Sequence, residues 1–134
     1  MKIAAIVMAS GMSKRMNADK LHMKINNKKI YEYILDTIKQ YNFHKVIVVA
    51  KDDDIITRAG DLGFTGVKNT RYFVGQSESI KLGLRNCQDC DGFMFFVADQ
   101  PFIQLQTIEK LCNQFFENKL NIILPYYNGT RGNP

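Results

Sequence analysis

Lys2-Ile3-Ala4-Ala5-Ile6-Val7-Met8 runs without a break into Ala9-Ser10-Gly11-Met12-Ser13-Lys14-Arg15. The first seven residues are rich in Ile, Val and Ala and lack polar alternation, which predicts a strand buried on both faces of a parallel sheet. Similar runs cover residues 44–50, 92–98 and 121–127, with a weaker one at 66–69; residues 92–98 are the most apolar segment and are expected to be the most buried strand. Between them the period lengthens to 3.6. Ile30, Ile34, Ile38 and Tyr41 mark one stripe of a helix over 30–41, with Glu32, Asp36 and Lys39 off it. Ile55, Ile56 and Leu62 predict a shorter helix behind the acidic triplet 52–54, which suits a helix N-terminus. A third helix is expected over 77–87 with Ser77 as its cap and Ile80 and Leu84 facing inward. A fourth over 105–116 turns Leu105, Ile108, Leu111, Cys112, Phe115 and Phe116 toward a core. Strands alternating with helices define an α/β fold, a Rossmann-like three-layer α/β/α sandwich with a mostly parallel sheet. Ligands in such sheets bind beyond the carboxyl ends of strands, where strand order reverses.

The 134 residues are 46% apolar and 23% charged, values that fit one globular domain and exclude disordered or collagen-like chains. Lys plus Arg number 18 against 13 Asp plus Glu, and the net charge of +5 favours anionic partners. Three cysteines without a secretory signal point to reduced thiols in a cytoplasm. The N-terminus has the outline of a short signal peptide, but Lys14 and Arg15 follow where a cleavage region should be small and neutral. No apolar run approaches the ~20 residues that cross a bilayer, so no membrane role is expected. After residue 127 a polar, turn-like stretch leads nowhere, and further residues of the natural fold are expected beyond Pro134.

Three constellations can carry chemistry. In the loop after the first strand, Gly11 lets backbone N–H groups approach phosphate oxygens, and Arg15 and Lys20 add charge. A solvated loop with basic residues reads equally well, and neither a Walker A nor a dinucleotide fingerprint is present. Asp99-Gln100-Pro101 closes the strand at 92–98; a carboxylate there suits a Mg²⁺-nucleotide site, and it equally suits a turn. Gly75-Gln76-Ser77-Glu78-Ser79 enters a helix, which makes either an anion site or plain capping.

Together these residues resemble a known family. Ala-Ser-Gly-x-Ser-x-Arg-Met-x-x-x-Lys-Leu from Ala9 to Leu21 is similar to the signature of MobA-like nucleotidyltransferases, in particular the molybdenum cofactor cytidylyltransferases. Asn69, Gly75 to Ile80 with Gly83 and Leu84, Asp99-Gln100-Pro101, and Pro125-Tyr126 with Gly129-x-Arg131-Gly132-Asn133-Pro134 follow in the family's order. The resemblance implies a nucleotide-diphospho-sugar transferase-like fold in one nucleotidyltransferase domain over residues 1–134. It implies transfer of CMP from CTP to the terminal phosphate of molybdopterin, with pyrophosphate released and Mg²⁺ as cofactor. Ala9, Ser10, Gly11, Ser13, Arg15, Lys20 and Asn69 then bind the nucleotide; Arg15, Lys20 and Asp99 are catalytic; and Asp99 holds the metal. Gly75, Gln76, Ser77, Ser79, Arg131 and Gly132 face the substrate, and a molybdoenzyme would accept the product. Ser10-Gly11 is nearer the Ala-Gly of cytidylyl-transferring members than the Gly-Gly of guanylyl-transferring ones, which points to CTP over GTP. Asn17 stands where the family has Gly, and the family continues past residue 131 with a second acidic motif. The alternatives are a relative using GTP or a sugar phosphate, and a non-catalytic nucleotide-binding accessory protein of molybdoenzyme maturation.

Other signals are set aside. Cys87-Gln-Asp-Cys90 lies at a helix end without a second cysteine pair, which favours ordinary thiols over zinc or redox chemistry. His22 and His44 are read as standing alone, without ligand spacing to a partner. Lys24, Lys28 and Lys29 read as a solvated face, and with no aromatic platform a nucleic-acid role is not expected.

Overall fold

A computed structural model of the chain describes residues 2–10, 19–118, 121–127 and 129–131, with the backbone alone at 127 and 131. β1 (Ile3–Ala9) is followed by a 3₁₀ turn at Lys20–His22, then by the two-residue strands β2 (Lys24–Ile25) and β3 (Lys28–Lys29). Then come α1 (Ile30–Lys39), β4 (Lys45–Ala50), α2 (Asp53–Asp61), β5 (Thr65–Lys68), a second 3₁₀ turn at Tyr72–Val74, α3 (Gln76–Arg85), β6 (Gly92–Val97), α4 (Leu105–Glu117), β7 (Tyr126–Tyr127) and β8 (Thr130–Arg131).

The main sheet has the order β5-β4-β1-β6, and its pairs are all parallel. Every residue of β1 is buried, because its side chains alternate between two cores. Ile3, Ala5, Val7 and Ala9 face one cluster with Ile34, Leu35 and Ile38 of α1, Ile55 and Ala59 of α2, and Ile108 and Cys112 of α4. Ala4 and Ile6 face the other with Ile47, Val49 and Cys87, closed by Leu82 and Leu84 of α3. Three helices thus cover one face and α3 the other, which is the expected sandwich.

Four expectations need correction. β6 forms an edge of the described sheet, so Phe93 is exposed and β1, not β6, is the most buried strand. Residues 121–127 form no buried strand: only Tyr126–Tyr127 pair, antiparallel with β8, and Ile122 is 87% exposed because no described neighbour covers it. α3 begins at Gln76 with Gly75 as its cap, and Ser77 lies exposed inside the helix rather than capping it. Its buried inward residues are Ser79 and Gly83, while Ile80 and Leu84 are only half-buried. Phe116 of α4 is exposed, whereas Ile108, Leu111 and Cys112 are buried as the periodicity predicts.

The β2–β3 hairpin was not foreseen, although Asn26 and Asn27, both at positive φ (51° and 67°), supply the left-handed pair that a two-residue turn needs. Both lysines of β3 are anchored by contacts with other elements. Lys28 pairs with Asp36 and lies over the Tyr33 ring, and Lys29 lies 3.6 Å from Asp54. Among the described residues no helix is long and apolar enough to cross a membrane.

Candidate active site

Going outward from β1, β4 and β5 follow on one side and β6 lies on the other, so strand order reverses between β1 and β6. Among the described residues, Ala9, Ser10, Asn69 and Asp99 lie at or just beyond the carboxyl ends of these strands. Ala9 ends β1, paired with Ala50 at the end of β4, and Ala98 continues the β6 ladder by donating its N–H to Met8 O at 3.1 Å. Asp99 follows inside a turn that Gln100 N–H closes onto Val97 O at 3.2 Å. Asp99 thus sits in a turn, as one of its two readings expects, and its carboxylate is exposed to solvent beyond β6.

Lys20 reaches this carboxylate from the other side of the reversal, with Nζ 3.7 Å from Asp99 Oδ2 and each side chain more than two-fifths exposed. The turn that carries Lys20 is built by its neighbours. Asp19 Oδ1 accepts the Leu21 N–H at 3.2 Å, and the Leu21 side chain is buried as an anchor.

Ser10, Asn69 and Ser79 form a second group, the only buried polar residues among those described. The two serine hydroxyls are 2.6 Å apart, and Asn69 Nδ2 donates to Ser10 Oγ at 3.0 Å and to Ser79 Oγ at 3.2 Å. Asn69 Oδ1 accepts the Arg71 N–H at 3.0 Å, and its own N–H donates to Ala50 O at 2.8 Å. The start of the β1 loop, the end of β5 and α3 are thereby tied together without an unsatisfied amide. Gly83 makes the approach of α3 possible: a Cβ there would stand 2.5 Å from Ile6 Cγ2 of β1. One helical turn earlier, Ser79 comes within reach of Ser10.

Gly75 has φ +120°, a conformation open to glycine, and it begins α3 without a side-chain cap. Gln76 and Ser77 follow, both exposed. Sequence reasoning missed the apolar rim just before them, where Tyr72, Phe73 and Val74 are exposed and Lys51 Nζ stands 5.1 Å from the Tyr72 ring centre. Arg131 lies in the β7–β8 hairpin, a sheet separate from the main one. Gly11, Ser13, Arg15, Asn17 and Gly132 lie outside the described residues.

Neither histidine stands alone. His44 Nε2 is 3.2 Å from Asp89 Oδ2, and this contact, with the 3.9 Å approach of Lys45, holds the Asp89 carboxyl below its ordinary range. His22 bonds Asp19 through Nδ1 and Asp54 through Nε2, the latter at 2.7 Å. No spacing rule could show this pairing, because Asp54 is 32 residues away. The three cysteines are free, and burial pushes each thiol up, foremost among the causes, so they are protonated at neutral pH.

Comparison with known proteins bears on the family and the fold. The chain is 28% identical over 127 residues to a probable molybdenum cofactor guanylyltransferase of Natranaerobius thermophilus, covering 95% of this chain and 62% of that protein. It is 29% identical over 131 residues to a 2-C-methyl-D-erythritol 4-phosphate cytidylyltransferase of Lachnoclostridium phytofermentans, covering 91% of this chain and 55% of that one. The chain thus spans little more than half the length of these curated relatives. Its fold is shared with a solved nucleotidyl transferase from a Methanothermobacter species, at a TM-score of 0.75 and 21% identity over 84% of this chain and 57% of the other. A model of the MobA-like NTP transferase domain matches residues 5–134, and the chain belongs to that family.

Proposed function

We propose that the protein is a nucleotidyltransferase that moves CMP from CTP to the terminal phosphate of molybdopterin and releases pyrophosphate. The observation that carries this reading is the meeting of Lys20 and Asp99 beyond the carboxyl ends of β1 and β6, at the reversal of strand order, in a chain of this family. In the transfer, an oxygen of the acceptor phosphate bonds to the α-phosphorus while the bond from that phosphorus to the bridging oxygen breaks and pyrophosphate departs. Both reactants are anions, so the chain must offset their repulsion. Lys20 offers ammonium donors to the triphosphate, and Arg15 and the backbone around Gly11 and Ser13 supply the rest of the cradle. Ser10, Asn69 and Ser79 serve as the frame of that cradle, since their side-chain polar atoms bond one another. Gly75, Gln76 and Ser77 bound the opposite side, and Arg131 and Gly132 are assigned to the acceptor.

Asp99 fits Mg²⁺. It is a hard oxygen donor open to solvent, and a single carboxylate suffices for an ion that keeps waters and phosphate oxygens as its other ligands. When bound, the ion supplies positive charge to the phosphates.

GTP is the second reading, favoured by the likeness to the probable guanylyltransferase of Natranaerobius. The Ser10 hydroxyl does not separate the two bases, because it is buried and already bonded to Asn69 and Ser79. Calorimetric titration with CTP and with GTP, each with and without Mg²⁺, followed by a pyrophosphate-release assay with molybdopterin, tests the proposal. Tighter Mg²⁺-dependent binding of CTP is expected, and Asp99→Asn should lower turnover on the order of a hundredfold or more with the fold intact by circular dichroism. Turnover that survives the substitution overturns the metal assignment, and binding of neither nucleotide overturns the reading.

A further inference from the structure

His22 ends the 3₁₀ turn that carries Lys20, and both of its ring nitrogens face carboxylates from different segments. An ionised carboxylate only accepts, and a neutral imidazole has one donor, so bonding both at once takes an imidazolium. The surroundings are consistent with that charge. Burial of His22 works against it, yet the hydrogen bonds and charges of Asp19 and Asp54 outweigh burial and raise its pKa above 6.5. Burial likewise opposes the charge of Asp54, and the His22 bond, with Lys29 nearby, holds that carboxyl below its ordinary range.

The other groups around the ring come from three elements. Tyr31 of α1 meets it edge-on at 5.6 Å, Lys29 at the end of β3 pairs with Asp54, and Arg58 of α2 acts on the Tyr31 hydroxyl. Asp52, just before α2, places a carboxylate oxygen in the same group, where it, Asp19 and His22 each bring one atom within 4.8 Å of the others. A cation in that space would need a lone pair on His22, and an imidazolium bonded to both carboxylates has none to give.

We propose that His22 is a positioning residue: as an imidazolium it clamps the Asp19–Lys20–Leu21 turn to the first turn of α2, and so fixes the reach of Lys20 toward Asp99. The link is short. Asp19 bonds His22 with one oxygen and accepts the Leu21 N–H with the other, and Met23, the residue after His22, donates its N–H to Lys20 O at 3.3 Å. The effect on substrate rests on the reading of Lys20 as a phosphate-binding group; the clamp itself does not.

The sign is fixed by the direction of the shift. A raised histidine pKa makes the clamp complete below about pH 6.5 and loses it as pH climbs through the raised value. Titration of the His22 ring by NMR should give a midpoint above 6.5 that falls back toward 6.5 in Asp54→Asn. Amide exchange at Leu21 should be several-fold faster in His22→Gln than in the unsubstituted protein at about pH 6, and the two should converge at high pH. Affinity for MgCTP and MgGTP should be weaker in His22→Gln by about fivefold at low pH, appearing in KM more than in kcat, with the difference vanishing at high pH. Comparing the two proteins on one ligand cancels the titration of the triphosphate. A ring midpoint at or below 6.5, or equal Leu21 exchange in both proteins, overturns the clamp. If the unsubstituted protein binds neither nucleotide, it is the reading of Lys20 that fails, and Leu21 exchange still decides whether His22 holds the turn.

Discussion

Asn69 is 1% exposed, yet both ends of its side-chain amide are satisfied, by two serine hydroxyls on one side and a backbone N–H on the other. Truncation to Asn69→Ala would strand the Arg71 N–H and remove the donor that both hydroxyls share. A loss of about 1–3 kcal/mol in urea denaturation is expected, with weaker nucleotide binding as a consequence of a loosened loop. An unchanged unfolding midpoint would show that water replaces the amide. At this scale the sequence was informative about identity and silent about pairing. Ser10, Asn69 and Ser79 were each singled out by resemblance, but that they bond one another depends on separations of 59, 69 and 10 residues closing in space. Lys20 and Asp99 were legible because position alone, after β1 and after β6, predicts which end of the sheet they occupy. The partnership of His22 with Asp54 had no such marker, since a histidine in a short turn and an aspartate in the first turn of a helix look like ordinary surface residues until the strands before them are paired.

The elements themselves were legible wherever burial set the pattern. β1 and β4 are buried on both faces, so their unbroken apolar runs mark them, and the stripe of α1 survives as buried Ile30, Ile34 and Ile38. Residues 121–127 show the limit of that signal: Ile122 and Leu124 are apolar without a described neighbour to bury them. The start of α3 was misread for a different reason, because Ser77 has the chemistry of a cap while Gly75 has the conformation. α3 also depends on a packing feature no periodicity reveals. Gly83→Ala places a methyl 2.5 Å from Ile6 Cγ2, so either α3 or the Ile6 side chain must shift. A destabilisation of about 1–3 kcal/mol by thermal or urea unfolding is expected, together with loss of the Ser10–Ser79 contact and weaker nucleotide affinity. If stability and affinity both persist, Ile6 has room to turn aside.

Over the whole molecule the charge of +5 sits on a protein proposed to join two anions. Nucleotide affinity should therefore fall with ionic strength, by about tenfold between ~50 mM and ~500 mM salt in a calorimetric series at fixed Mg²⁺. Affinity indifferent to salt would mean that the cations of the β1 loop do not meet the phosphates. The same loop lies on the strand that joins both halves of the sheet. β1 pairs with β4 through Ala4 and Lys45, and with β6 through Ile3 and Gly92, contacts that span 41 and 89 positions of chain. Closing the longer of these two circuits costs more chain entropy and is the slower search. A refolding intermediate built of β5, β4 and β1 would already own three of the four strands of its main sheet, but Phe96, Ala98, Ile108 and Cys112 would be missing from its larger core and Asp99 would not yet stand opposite Lys20. Recovery of nucleotide binding is thus a clock for the docking of β6, and an observer following ligand rather than helix content would time a different and later event.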